Sequence, residues 1–218
     1  MSQLIQFFRR KKSPLHHKTA VWTKVTNVVA SAALQSSVDL NAVVEAYPFA
    51  EYRPERFPGV VLRLHRPKSV ILLFHTGKLV CTGATSTELA QKAIHSIVQQ
   101  LHRNQIIDQP RVSITIQNVV ATGSVGGKID LEKAAFLLER TLYEPEQFPG
   151  LIYRMEVPQV VMLIYVTGRI VCVGAKKEQE IHDALKLLHH QLKQNELLHT
   201  TTLASNKRES RDPHSLLT

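Results

Sequence analysis

The stretch YEPEQFPGLIYR, Tyr143–Arg154, repeats an earlier one, YRPERFPGVVLR, Tyr52–Arg63, with seven of the twelve residues unchanged. The two are offset by 91 positions, and the same offset carries Asn27-Val28-Val29-Ala30 onto Asn118-Val119-Val120-Ala121 and Asp39-Leu40 onto Asp130-Leu131. It also carries GKLVCTGA, from Gly77, onto GRIVCVGA, from Gly168, again without a gap. An echo this long is a tandem duplication. Two copies are too few for an open solenoid, so the expected assembly is two half-domains packed about a pseudo-twofold axis.

The chain of 218 residues, 44% of them hydrophobic, can build one sizeable core or two fused small ones. No apolar run approaches the ~20 residues of a membrane span. LIQFF near the N-terminus is too short for a signal peptide, and RRKK follows it rather than precedes it. Cys81 and Cys172 occupy equivalent positions and suit a reducing compartment and a packing role better than a disulfide framework. The formal charge of +9 is uneven: residues 1–20 contribute +5, residues 195–218 balance, and the repeat body keeps +4. A basic body and a basic arm favour an anionic partner such as nucleic acid, although a solvated tail accounts for the arm equally well.

Each copy reads in one order. An alternating stretch, VTNVVASAAL or ITIQNVVATG, has the period of a strand. A short helix follows from Asp39 or Asp130 as N-cap, and then the Pro-rich element reads as a loop between strands. Two apolar strands come next, joined through Thr76-Gly77 or Thr167-Gly168. A long helix closes each copy. In the first, Thr85 and Glu88 stand at capping-box spacing, and Leu89, Ile94, Ile97 and Leu101 mark the buried stripe. In the second, Ile181, Leu185, Leu188 and Leu192 mark it. NQIIDQPR reads as a polar linker. The expected divisions are a basic arm over 1–20, repeats over 21–105 and 111–194, and a polar tail over 195–218.

Many strands with hairpin connections and few helices predict an α+β fold, an antiparallel sheet with helices on one face. The other face should then be polar. It is not. Every residue of Val70–Phe74 is apolar, so Leu72 and Phe74 point opposite to Ile71 and Leu73. Val80 and Thr82 share one face, as do Leu163, Tyr165, Val171 and Val173. The pattern fits either the inside of a sandwich or an open apolar face, which normally marks an interaction surface.

Asn27 and Asn118 lie at equivalent points beside Val29 and Val120. Two amides related by pseudo-symmetry suit a DNA minor groove, where either base-pair orientation offers similar acceptors. Phe57 with Phe74 and Phe148 with Tyr165 form an aromatic pair in each copy. A lone Phe beside a Pro-Gly turn is usually a core plug, but four positions repeating by symmetry at the ends of an apolar face look more like wedges between base steps. Arg63 and Arg154, and Lys78 and Arg169, recur in register and would meet phosphates, which sets position and salt dependence rather than sequence choice. Taken singly, each base is equally well a solvated surface charge.

These doubled motifs, above all YEPEQFPGLIYRM, the paired NVVA strands and the paired G(K/R)(L/I)VC(T/V)GA hairpins, resemble the TATA-box-binding protein family of archaea and eukaryotes, archaeal type, over residues 21–194. The resemblance implies a pseudo-twofold saddle, a ten-stranded curved antiparallel sheet with helices on the convex face. Its concave side would grip the minor groove of a TATA element and kink the duplex; the large bend is implied by the resemblance alone.

The resemblance also makes Phe57, Phe74, Phe148 and Tyr165 the kinking residues and Asn27 and Asn118 the central amides. Val29, Leu72, Val80, Thr82, Val120, Leu163, Val171 and Val173 become the apolar floor. The quoted element is then a stirrup at each end of the duplex, and Glu144 and Glu146 in the second would receive transcription factor B, with RNA polymerase engaged indirectly. Arg53 stands where the first copy would have the equivalent of Glu144. No cofactor, metal or membrane is implied, and the place of action would be the archaeal nucleoid, or the nucleus in a eukaryote. Two positions depart from the family pattern: Tyr165 in place of phenylalanine, and Val173 in place of the threonine kept as Thr82.

Two rivals remain. One is a divergent relative with altered DNA preference, or one acting as a protein-binding adaptor. The other is a metal or hydrolytic enzyme, prompted only by histidines such as His182, His189 and His190, with no carboxylate or cysteine set at ligand spacing and no phosphate loop.

Overall fold

The computed structural model describes residues 20–199. The basic arm, Ala20 apart, and the tail from 200 onward lie outside the described residues. In the first copy β1 (Val21–Ala33) leads to α1 (Leu40–Ala46), the short strand β2 (Ala50–Glu51), then β3 (Gly59–His65), β4 (Lys68–Phe74), β5 (Lys78–Ala84) and α2 (Thr87–Arg103). The second copy answers with β6 (Ser113–Val125), a two-residue β7 (Lys128–Ile129), α3 (Leu131–Leu137), β8 (Thr141–Leu142), β9 (Gly150–Met155), β10 (Val160–Tyr165), β11 (Arg169–Ala175) and α4 (Glu178–Gln194).

Ten of these strands form one antiparallel sheet in the order β2-β3-β4-β5-β1-β6-β11-β10-β9-β8, symmetric about its middle. The register locates the axis. Val28 opposes Val119, the same position of the two copies, while Asn27 opposes Val120 and Val29 opposes Asn118, the exchange a twofold demands. The duplication read from the sequence is thus a real pseudo-symmetry of the sheet.

One side of the sheet is dry. Val60, Leu62, Ile71, Leu73, Leu79 and Cys81 are fully buried beneath Ala93, Ile94, Ile97 and Leu101 of α2. Met162, Ile164, Ile170 and Cys172 are likewise buried under Ile181, Leu185, Leu188 and Leu192 of α4. Each Leu or Ile so buried contributes roughly 1.5–3 kcal/mol, so these stripes fix the helices to this side. Leu89, expected in the α2 stripe, is only half-buried in the first turn. Both cysteines are free thiols, pushed up to about 11 for Cys81 and about 12 for Cys172 by burial.

The helix ends follow local chemistry. Asp39 caps α1 by accepting from the Asn41 and Ala42 amides at 2.9 and 3.4 Å, and Asp130 caps α3 through the Lys133 amide at 3.0 Å. The cap of α2 is Ser86, one residue later than the Thr85 spacing predicted; its hydroxyl accepts from the Leu89 amide at 3.2 Å. Over the pseudo-axis the two long helices meet. Glu178 Oε1 accepts from the Thr87 amide at 2.9 Å and its hydroxyl at 3.2 Å, and 87 and 178 are the same repeat position.

Both long helices end in the same way. Ile106 N–H donates to Leu101 at 3.0 Å and Leu197 N–H to Leu192 at 2.9 Å, with Gln105 and Glu196 in the left-handed region at φ 57° and 54°. The segment read as a polar linker therefore begins as a helix cap, and Ile107 within it is buried. The tail expected from 195 likewise starts as packed structure: Leu197 is buried, and β12 (Leu198–His199) pairs with β7.

Candidate nucleic-acid interface

On the side away from the helices, cross-strand partners define rows. Gly59 faces Phe74; Val61 faces Leu72, which faces Val80; Arg63 faces Val70, which faces Thr82. The second copy matches row for row: Gly150 with Tyr165, Ile152 with Leu163 and Val171, Arg154 with Val161 and Val173. Directly opposed residues project to the same side, so Leu72, Val80, Thr82, Leu163, Val171 and Val173 share one face, and Val29 and Val120, opposite Asn118 and Asn27, stand with those amides at its centre. Val61, Val70, Ile152 and Val161 join them and were missed, although period-two reading of β3 and β9 and extension of β4 and β10 by two residues would have found them.

This face is not the inside of a sandwich. Its side chains keep part of their surface exposed where the opposite face is sealed; Val171 at 7% and Val120 at 9% are the most sheltered. No second layer of described residues covers it. A shallow hollow of about 400 Å³ lies at the Tyr165 end, lined by Thr122, Pro149, Tyr165, Arg169 and Val171 among others.

The two amides are oriented by their surroundings. Asn27 Oδ1 accepts from the Gly83 amide at 2.7 Å and from the Thr82 hydroxyl at 3.2 Å. Asn118 Oδ1 accepts from the Gly174 amide at 2.8 Å, and Val173 has no hydroxyl to add. With the carbonyl oxygen held, each amide must turn its NH2 outward, so the pair offers donors and not acceptors at the centre of the face. A minor groove presents acceptors there: adenine N3 and thymine O2.

At each end sits an aromatic pair. The rings of Phe57 and Phe74 lie 5.6 Å apart at 60°, those of Phe148 and Tyr165 6.0 Å apart at 63°. Glycine lets the rings lie close over the strand: a Cβ on Gly150 would stand 2.8 Å from the Phe148 ring, and one on Gly59 3.0 Å from Phe57, so a larger residue would push the rings aside. All four rings are half-buried. Burial pushes the Tyr165 hydroxyl pKa up, and its oxygen is not among the buried unpartnered atoms.

The four bases lie on this face or its rim, all exposed: Arg63 and Arg154 in the rows above, Lys78 beside Val80, and Arg169 beside Val171. They are not equivalent. Arg63 Nε donates to Glu51 Oε1 at 2.9 Å, which lowers the Glu51 carboxyl pKa and raises that of the guanidinium. Arg154 has Leu142 at the position of Glu51.

Glu144 and Glu146 are exposed on the second stirrup, and the two stirrups share one turn. Phe148 N–H donates to the Glu144 carbonyl at 2.9 Å, as Phe57 N–H does to Arg53 at 2.9 Å. His182 contacts the Thr23 hydroxyl at 3.0 Å, and burial followed by Lys193 and His190 draws the His189 pKa down. No group of three His, Cys, Asp or Glu side chains arranged for a metal occurs among the described residues.

A doubled antiparallel sheet, helical on one side and open, apolar and base-rimmed on the other, defines the two-repeat saddle class. The family model described as transcription factor TFIID (or TATA-binding protein, TBP) matches residues 22–104 and 113–195, so the chain belongs to that family. A TATA-box-binding protein of Pyrobaculum calidifontis is 46% identical over 173 residues, covering 78% of this chain and 86% of the relative. That of Sulfurisphaera tokodaii is 46% identical over 168 residues, 77% and 85%. Among solved structures, Methanococcus jannaschii TBP superposes with a TM-score of 0.72 at 43% identity, covering 79% of this chain and 98% of that one. The family is one of non-enzymatic DNA-binding transcription factors of archaeal type.

Proposed function

We propose that the open face binds the minor groove of a TATA element, that the aromatic pairs kink the duplex at its two ends, and that the second stirrup recruits transcription factor B to the bent complex. The observation that carries this reading is the pair of outward NH2 groups astride the pseudo-axis, with both carbonyl oxygens tied to Gly83 and Gly174. Two central donors on an apolar floor fit A·T steps and reject a guanine N2 amine, itself a donor. RNA polymerase follows through transcription factor B, at the archaeal nucleoid. Among the described residues no helix is long and apolar enough to cross a membrane.

The test is a gel shift and a bending assay on a TATA duplex, with and without transcription factor B. The reading requires specific binding that weakens steeply with salt, a bend, and a ternary complex. Absence of TATA binding at every salt concentration refutes it.

Val173 favours a second reading, a divergent relative with altered preference at one half-site, because Asn118 lacks the hydroxyl donor that Asn27 has. Selection of binding sites from a random pool separates the two: a TATA consensus degenerate on one side supports divergence.

A further inference from the structure

We propose that Glu51 is an intramolecular competitor for phosphate, holding Arg63 so that the first copy engages the DNA backbone at one fewer point than the second. This rests on the minor-groove reading above and deepens it.

Glu51 opposes Val61, and Arg63 lies two residues along β3, so carboxylate and guanidinium share the open face. Their Nε–Oε1 contact of 2.9 Å takes one edge of a group that otherwise forks onto an anion. The equivalent place in the second copy is different. Leu142 opposes Ile152 and offers Arg154 nothing to bond. A second hollow, lined by Arg140, Arg154, Glu156 and Val161 among others, holds one acid, Glu156, and it is paired with Arg140. Among the described residues Arg154 has no ion pair. Where pseudo-symmetry makes two bases interchangeable, a single exchange between Glu51 and Leu142 makes them unequal.

Phosphate must displace Glu51 to reach Arg63, and the carboxylate left behind then faces a polyanion. Arg154 meets neither obstacle. Both members of the first pair are more than half exposed, so the pair is too weak to matter for folding and is set to matter only when a duplex arrives.

The experiment is the salt dependence of binding to one TATA duplex, because each phosphate engaged adds about 0.9 to the slope of log K against log salt. Arg154→Gln should reduce the slope by about one unit, and Arg63→Gln should leave it nearly unchanged. Glu51→Gln should steepen it by about one unit, and adding Arg63→Gln to that variant should remove the gain. Leu142→Glu should lower the slope, by giving Arg154 the same competitor. Equal losses from Arg63→Gln and Arg154→Gln, with no effect of Glu51→Gln, overturn the inference while leaving minor-groove binding intact. Failure of the wild-type chain to bind the duplex overturns the proposed function, and this inference with it. Circular dichroism of each variant guards against misfolding, which these exposed positions are not expected to cause.

Discussion

Replacing Phe148 with alanine separates the folding role of the ring from its role on DNA. In the free protein the ring is half-buried and makes one edge-on contact with Tyr165, at 6.0 Å between centroids. Such a pair is worth about 0.5–1.5 kcal/mol beyond its buried area, so the variant should stay folded with a modest loss of stability. In the proposed complex the same ring holds a base step open, at a cost of a few kcal/mol per step, a general figure for minor-groove wedges that includes this family. Without the wedge that deformation is not sustained at the second end. The bend should fall by about half, because Phe57 and Phe74 still act at the other. Loss of one stacked ring on the order of 1–3 kcal/mol corresponds to a five- to 150-fold weaker complex. Bending is read from circular-permutation mobility or from energy transfer between dyes at the duplex ends, and stability from urea unfolding. A Phe148→Ala protein that bends TATA DNA to the wild-type angle refutes the wedge assignment. An equally damaging result is a loss of several kcal/mol in folding stability, which would make the ring a core plug.

Four further outcomes are expected. Glu144→Arg should keep DNA affinity and lose the ternary complex with transcription factor B in a gel shift; the turn tolerates arginine, since Arg53 forms it in the first copy. Glu178→Ala removes the acceptor that spans the two helices at Thr87 and should cost about 1 kcal/mol, a typical capping value, lowering Tm by roughly 2–4 °C in a thermal melt while Glu178→Gln loses less. Thr82→Val removes one donor from the Asn27 amide and should weaken TATA binding by about 1 kcal/mol, measured by titration, making that half resemble the Val173 side. Because burial holds the thiols of Cys81 and Cys172 up at about 11 and about 12, unfolded thiols ionise first; stability from these groups is complete below the ordinary thiol range and declines as pH rises through it, so Ellman's reagent at pH 8 should label neither until the protein unfolds.

Much of the architecture was legible because duplication prints itself in one dimension. A constant offset of 91 residues needs no structure to detect, and it carried the Asp39 and Asp130 caps, the glycine hairpins and the doubled stripes with it. The misreadings fall where competing partners lie close together in sequence. Thr85 and Ser86 are adjacent hydroxyls, and only the path of the chain leaving β5 makes Ser86 the cap. Residues 195–199 read as the start of a polar tail, yet Leu197 packs and Leu198–His199 pair with β7, which is some 70 residues away in the chain and has no counterpart in the first copy.

The candidate site divides along the same line. Period-two alternation determined which residues share a face, because side chains of an extended strand must alternate whatever surrounds them. The two-copy pattern likewise settled that there would be two aromatic pairs and two amides. Whether that apolar face was sealed or open depended on where the helices pack, which is a balance of buried area over the whole chain and is written in no single segment. The direction of the Asn27 and Asn118 amides, and the capture of Arg63 by Glu51 where Arg154 meets Leu142, rest on neighbours brought in from other strands. Tertiary structure alone decides such contacts, because a hydrogen bond or ion pair depends on separations of a few ångströms between atoms whose residues lie up to 56 positions apart in the chain.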